Sequence, residues 1–295
     1  MNKFYNKIIL TYKPPFFSSY DIIRLFKKVH KGKIGHTGTL DPFAEGLLLL
    51  LTDKYTKLSH IFLHKKKEYV GTLKLGISTD TLDITGKITS EDEKWKNLSI
   101  GEIKNAFFSL KGEIQYRAPL FSAKKIQGIK SYQYARNNKN ALTPLVKSYI
   151  YKITIEKIDL PYIIFYIKCS GGTYIRSIAE LIGKILNTSA TLTKLTRTAI
   201  DNFSIQMLDK EININHVKLK YTDFKIYDFL PEEKIKNIPL SEVNFLKNGV
   251  RKFREKYFSL LKEYPYYLLA NNGTEIGIVA DKKFFNANRH KIIFL

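Results

Sequence analysis

Apolar residues recur along this chain with two spacings, and the points where the spacing changes mark out its elements. Residues 8–11 form a short apolar run that reads as a strand leading into Lys13-Pro14-Pro15, where proline enforces extended backbone. Ser18 and Ser19 can cap a helix whose apolar positions Ile22, Ile23, Phe26 and Val29 share one face. The continuous apolar run at 47–51 predicts a buried strand, and Tyr55, Leu58 and Phe62 suggest a further helix. Residues 68–75 alternate as a half-buried strand does, with Tyr69, Gly71, Leu73 and Leu75 on one side.

Ser99-Ile100-Gly101-Glu102 is a capping-box pattern opening a helix that buries Ile103, Ala106, Phe107 and Leu110. Residues 148–158 and 162–169 alternate on either side of Asp159-Leu160-Pro161, which predicts an antiparallel pair. Gly171-Gly172-Thr173 breaks the chain before a helix carrying Ile175, Ile178, Leu181, Ile182 and Ile185. Strands and helices interleave with hairpins rather than in a strict βαβ rhythm. The expectation is an α+β fold with a mixed, mainly antiparallel sheet flanked by helices. From about Pro239 the pattern changes to short strand candidates at 266–270, 275–280 and 291–295, with Asn271-Asn272-Gly273 as a hairpin turn. The domain expectation is therefore a large unit over 1–237 and a small β-rich module over 238–295.

Composition changes the picture through charge. Of 295 residues, 49 are Lys or Arg against 27 Asp or Glu, a formal net charge of +22 that attracts polyanions. Nucleic acid is the first candidate partner and an anionic membrane surface the second. No apolar stretch approaches a spanning helix, and the first ten residues are too polar for a secretory signal. A single cysteine, Cys169, permits no internal disulfide and fits a reducing, cytoplasmic interior; on a strand it reads as a buried, inert thiol.

Candidate chemistry is sparse except at one place. The six histidines are scattered, and His60 and His64 alone have helical ligand spacing without the glutamate a zinc protease adds. There is no phosphate loop, no dinucleotide fingerprint and no nucleophile elbow, so neither metal nor nucleotide cofactor is expected. Residues 35–46, Gly-His-Thr-Gly-Thr-Leu-Asp-Pro-Phe-Ala-Glu-Gly, form a shaped loop that presents Asp41 and then enters the 47–51 strand. Locally, Asp41 is either a turn carboxylate or a reactive group carried on a scaffolded loop. Lysine clusters at 27–33, at 65–67, and at Lys124, Lys125 and Lys130 flank the special segments, as a surface holding a phosphate backbone would.

Residues 35–42 resemble the signature of the TruB family of tRNA pseudouridine synthases. Lys13-Pro14 with Ser18-Ser19 is similar to that family's N-terminal lysine–proline segment. Lys67-Glu68-Tyr69 with Gly76, Thr79-Asp80-Thr81 and Asp83 resembles its second motif. A further block is matched by Gln115, Pro119, Ser122-Ala123, Lys125, Gly128, Tyr132 and Ala135-Arg136. The arginine motif is matched by residues 169–177, and Leu195-Thr196-Arg197-Thr198 resembles the segment after it. These blocks fall in family order over roughly residues 7–205, and residues 238–295 faintly resemble a PUA-type RNA-binding module. At 118–123 the chain departs from the family's Pro-Pro-x-Tyr-Ser-Ala pattern, since Phe121 keeps the ring and loses the hydroxyl.

The resemblance implies an enzyme that isomerises uridine at position 55 in the T loop of tRNA, with base flipping and no cofactor; nothing in the sequence suggests an obligate oligomer, so a monomer is expected. It implies Asp41 as the catalytic carboxylate, Tyr69 stacked on the target base, and Arg176 as the partner of Asp41. His36 would brace the space left by the flipped nucleotide, Leu195 and Tyr174 would line the pocket, and Lys13 would support the loop. Two rivals remain at this point: a non-catalytic tRNA-binding or tRNA-folding chaperone on the same scaffold, and a nucleoside N-glycosylase.

Overall fold

The computed structural model describes residues 4–122, 125–126, 129–130, 143–282 and 290–295, the two dipeptides by their backbone alone. Ala123, Lys124, Gly128, Tyr132, Ala135 and Arg136, and the side chains of Lys125 and Lys130, lie outside the described residues. Strands β1 (Ile8–Lys13), β2 (Ile34–His36), β3 (Glu45–Thr52) and β4 (Lys67–Leu75) come first, with helices α1 (Ser19–Val29) and α2 (Ser59–Leu63) between them. A ribbon of β5 (Ile77–Thr79) and β6 (Ile88–Glu91) precedes α3 (Ile100–Ser109) and β7 (Gly112–Arg117). There follow the dipeptides β8 (Lys125–Ile126) and β9 (Ile129–Lys130), then β10 (Leu145–Asp159), β11 (Tyr162–Cys169) and α4 (Ile175–Ile185). After these come β12 (Ala190–Ile200), β13 (Phe203–Ser204), β14 (Lys210–Ile214) and β15 (Val217–Phe224).

The main sheet runs β14-β15-β1-β3-β12-β4-β11-β10-β7, with β2 added on β3 and β13 on β12. Every pairing is antiparallel except β12 with β3, where Thr196 and Arg197 lie beside Glu45 and Gly46. The mixed, mainly antiparallel α+β reading therefore holds. The apolar run of β3 does not alternate because both of its faces are covered. Leu47, Leu49 and Leu51 pack with Ile8, Leu10 and Tyr55, while Leu48 and Leu50 pack with Ile22 and Phe26 of α1. On β4 the odd positions from Lys67 to Leu75 point inward and the even ones are half-exposed. Tyr69, Leu73 and Leu75 meet Ile103 and Phe107 of α3 and Ile178 and Ile182 of α4 in the largest core.

The helix starts follow from local chemistry. Ser18 caps α1 by accepting from the Asp21 N–H, and Asp21 closes the box by accepting from the Ser18 N–H at 2.8 Å. Ser99 and Glu102 do the same for α3. Val29 and Ile185, expected on buried faces, stand at helix ends and are 37% and 46% exposed, beyond the reach of the cores.

A second sheet, β16 (Ile235–Asn237), β17 (Tyr266–Asn271), β18 (Thr274–Ala280) and β19 (Lys291–Phe294), contains the strands expected after Pro239. It also takes in Ile235–Asn237, so its first strand begins before residue 238. Two helices, α5 (Leu240–Lys247) and α6 (Arg251–Phe258), stand in the stretch between Pro239 and the first strand candidate, where the β-rich reading named no helix. They start at Pro239 and Val250 without a side-chain cap, so the usual polar start signal is missing. The two sheets share apolar contacts, since Tyr266, Leu268 and Ile278 cluster with Leu49, Tyr55 and Phe62. Glu275 of β18 accepts from the Tyr55 hydroxyl and from the Tyr227 N–H.

Candidate active site

The loop from β2 to β3 is held through its backbone, leaving the Asp41 side chain free for other work. Ser19 accepts from the Leu40 N–H at 2.9 Å and donates to the Leu40 carbonyl at 3.2 Å. The Pro42 carbonyl accepts from the Phe16 N–H at 2.7 Å and from the Lys13 ammonium at 3.2 Å. Lys13 is fully buried and spends its other donors on the carbonyls of Pro14 and Phe17. Neither Gly35, which lies in β2, nor Gly38 has positive φ; the glycine the loop requires is Gly46. Its φ is 107°, and a Cβ there would sit 2.4 Å from the Arg197 carbonyl oxygen. Gly46 thus permits the parallel contact of β3 with β12 that delivers Arg197 beneath the loop.

Arg176, in the first turn of α4, meets Asp41 with two parallel bonds, Nε to Oδ2 at 2.9 Å and Nη2 to Oδ1 at 3.0 Å. Its remaining hydrogens go to the Thr81 carbonyl at 2.8 Å and the Phe121 carbonyl at 3.1 Å, and Asp83 lies 3.5 Å away. The guanidinium side chain is 5% exposed and the carboxylate 31%, so the anion faces the cleft from a buried cationic anchor. Phe121, where the family pattern carries a hydroxyl, gives Arg176 a backbone oxygen, which a change of ring leaves intact. Asp83 is fixed in turn by the Thr81 and Thr85 hydroxyls and the Thr85 N–H.

The cleft these groups enclose has a volume of about 530 Å³. Asp41, Tyr69, Tyr174, Arg176 and Leu195 all line it, joined by Lys67, Phe121 and Arg197. Lys13 and His36 do not line it. Lys13 lies behind the loop, and His36 sits on β2 opposite Leu50 with a buried Nδ1 that has no hydrogen-bond partner. Burial, with the Arg197 charge, lowers the His36 pKa, so its imidazole is neutral at physiological pH.

Tyr69 is 5% exposed, and burial pushes its phenol up to about 12. It is therefore a neutral ring at physiological pH, facing Arg197. Tyr174 starts α4 and donates its N–H to the Tyr116 hydroxyl at 2.9 Å, which ties the pocket wall to β7. Cys169 is buried and raised by burial to about 12, in keeping with an inert thiol.

Arg197 was not singled out from the sequence. It is 1% exposed, donates Nε to the Leu47 carbonyl at 2.7 Å and Nη2 to the Gly38 carbonyl at 3.2 Å, and closes the cleft floor. An arginine within the threonine-rich, apolar stretch 190–200, beside the family-like Leu195-Thr196, was the available signal. Lys67 is a second unpredicted wall. Its ammonium donates to the Leu63 and Lys65 carbonyls, each at 3.0 Å.

Burial first, and then Arg197, lower the Lys67 pKa from 10.5 to about 8. Between those values the unfolded chain binds more protons than the folded one, so this lysine's contribution to stability rises with pH and is lost as pH falls toward 8. Denaturant unfolding should show wild type gaining on Lys67→Met between pH 7 and pH 10, by on the order of 1–3 kcal/mol. An unchanged gap would mean that Lys67 titrates as a solvated lysine.

Comparisons with known proteins converge on one family. The model of the TruB family pseudouridylate synthase N-terminal domain matches residues 25–175, just over half of the chain. The tRNA pseudouridine synthase B of Caldicellulosiruptor saccharolyticus is 45% identical over 201 residues, covering 68% of this chain and 69% of that protein. The protein of the same name from Clostridium kluyveri is 32% identical over 285 residues, covering 92% and 95%. Among solved structures, an archaeal box H/ACA sRNP Nop10–Cbf5 complex contains a chain superposing with a TM-score of 0.59 at 16% identity, covering 98% of this chain and 86% of that one. A Cbf5–Nop10–Gar1 complex contains another, with a TM-score of 0.56 at 18% identity, covering 98% and 83%; at such identities these two bear on fold alone. The class so defined is the pseudouridylate synthases, which are isomerases. Within that class, the chain belongs to the TruB family.

Among the described residues no helix is long and apolar enough to cross a membrane, and no group of three or more His, Cys, Asp or Glu is placed to hold a metal ion.

Proposed function

We propose that this enzyme converts the uridine at position 55 in the T loop of tRNA to pseudouridine, with Asp41 as the catalytic carboxylate. The observation carrying the proposal is the bidentate Asp41–Arg176 pair on the wall of a cleft that also holds Tyr69 and Leu195. A purely structural ion pair would need neither the open cleft nor the half-exposed carboxylate. The reaction breaks the bond from C1′ to N1, rotates the base and forms a bond from C1′ to C5. N1 gains a proton and C5 loses one, so the change is an isomerisation that requires no cofactor.

The uridine flips out of its stack to enter the cleft, at a cost of a few kcal/mol in stacking and pairing. Tyr69 lies against the base as a neutral ring, and Leu195 and Tyr174 complete its walls. Lys13 acts on the loop rather than on substrate, and His36 braces the space left by the flipped nucleotide. The region expected over 238–295, with strand β16 at Ile235–Asn237 added to it, serves as a PUA-like RNA-binding module appended to the catalytic unit. Lys27, Lys31, Lys33, Lys54 and Lys57, which line a separate cleft of about 590 Å³, supply long-range attraction for the RNA. The protein acts as a monomer in the cytoplasm.

Incubating the pure protein with unmodified tRNA and with an isolated T-arm hairpin, then mapping pseudouridine, tests this directly. Pseudouridine at position 55 in both is expected. Its absence from both would overturn the proposal: tRNA folding without conversion would point to a chaperone, and released uracil to a glycosylase.

A further inference from the structure

The segment joining β1 to α1 turns the Phe16 ring outward, while Phe17 packs partly against the core beneath α1. Phe16 is 75% exposed and has φ of 64°, a left-handed backbone that costs a residue with a Cβ roughly 1–2 kcal/mol. Glycine would suit that backbone better, and the core gains nothing from a ring that points to water. The strain is held in place by the bond from the Phe16 N–H to the Pro42 carbonyl, one residue beyond Asp41. Backbone strain that persists beside a reactive loop calls for a functional account.

A cleft of about 350 Å³ opens beside this ring, lined by Phe16, Phe17, Asp21, Arg24, Leu25 and Lys28. Asp21, the one carboxylate present, is occupied by the Ser18 cap and by an ion pair with Arg24. Arg24 also lies 5.8 Å from the ring centroid of Tyr20, which is 59% exposed. The cleft therefore combines aromatic faces with Lys28 and an Arg24–Asp21 ion pair, which leaves it net positive. Aromatic faces attract the π-face of any base, and flanking cations attract its phosphate.

We propose that this cleft is a second nucleotide subsite, where an unstacked base of the RNA substrate lies on Phe16 and its phosphate meets Arg24 and Lys28. The proposal rests on the reading of the chain as a tRNA-modifying enzyme. One backbone hydrogen bond ties Phe16 to the loop of Asp41, so the two clefts are joined through that loop and serve the same RNA. Binding of the base on Phe16 favours the splayed form of the T loop over the stacked one.

Phe16→Gly removes the ring while easing the backbone, so folding does not confound the test. With the full chain and a T-arm hairpin, fluorescence anisotropy should show Kd raised roughly tenfold or more, the size of one lost base–aromatic stack. The thermal midpoint of Phe16→Gly should equal or exceed that of wild type, and Phe16→Trp should restore binding. The double variant Arg24→Gln with Lys28→Gln should flatten the dependence of log Kd on log salt by about one to two units. A Phe16→Gly Kd within twofold of wild type overturns the subsite. Should the wild type itself neither bind nor convert the hairpin, the tRNA reading fails first and takes the subsite with it.

Discussion

Replacing Asp41 with alanine should leave tRNA bound and unconverted. The loop around it is fastened by backbone atoms: Leu40 to Ser19, Pro42 to Phe16 and Lys13, and Gly38 to Arg197. None of those bonds uses the Asp41 carboxylate. Its side chain bonds Arg176, and Arg176 keeps the Thr81 and Phe121 carbonyls and Asp83 when the carboxylate is gone. The stability cost should therefore stay near 1–2 kcal/mol, about that of a charge-assisted hydrogen bond in a partly solvated place. Conversion, by contrast, should fall by at least about a thousandfold, as it does when the group acting on the reacting bond is removed. Kd for the T-arm hairpin should change by no more than a few-fold, since phosphate contacts by lysines dominate affinity. Single-turnover conversion, anisotropy and thermal unfolding separate these quantities. Affinity and thermal midpoint collapsing together with activity would make Asp41 a structural residue.

Different parts of this site differed in how far local pattern could reveal them. The β3 strand and the alternation of β4 are short-range patterns, and both stand where the sequence put them. Strand β12 escaped because its pairing with β4 shifts register between Leu192 and Lys194 and again between Arg197 and Ala199. Each irregularity displaces the period of two on which strand recognition depends. Arg197 was hidden by the same shifts. Asp41 and Arg176 are 135 residues apart, and only family resemblance could pair them before the fold was known. Gly46 shows the reverse case: a loop glycine was evident, but which glycine mattered depended on a backbone approach from β12. His36, adjacent to the motif in sequence, does not line the cleft: β2 pairs with β3 and fixes it opposite Leu50.

Arg176→Ala should do what Asp41→Ala does not, and lose stability as well as activity. Its guanidinium is the one cation placed between Asp41 and Asp83 among the described residues, at 2.9 and 3.5 Å. Asp83 is 4% exposed, so removing the arginine leaves a buried carboxylate without its counter-charge, together with two carbonyls stripped of a donor. Breaking such a pair from one side costs about 3–5 kcal/mol, which for a chain of this size lowers the melting temperature by roughly 6–15 °C. Arg176→Lys keeps the charge but replaces a planar fork by a point donor. It should recover part of the stability and little of the activity, since Asp41 would no longer be aimed by two parallel bonds. The double variant Asp41→Ala with Arg176→Ala should be less destabilised than the sum of the two single changes, by about 1–3 kcal/mol. Strict additivity in that cycle would mean that the two side chains do not act on each other, and the orienting role of Arg176 would have to be abandoned even if both single variants were inactive.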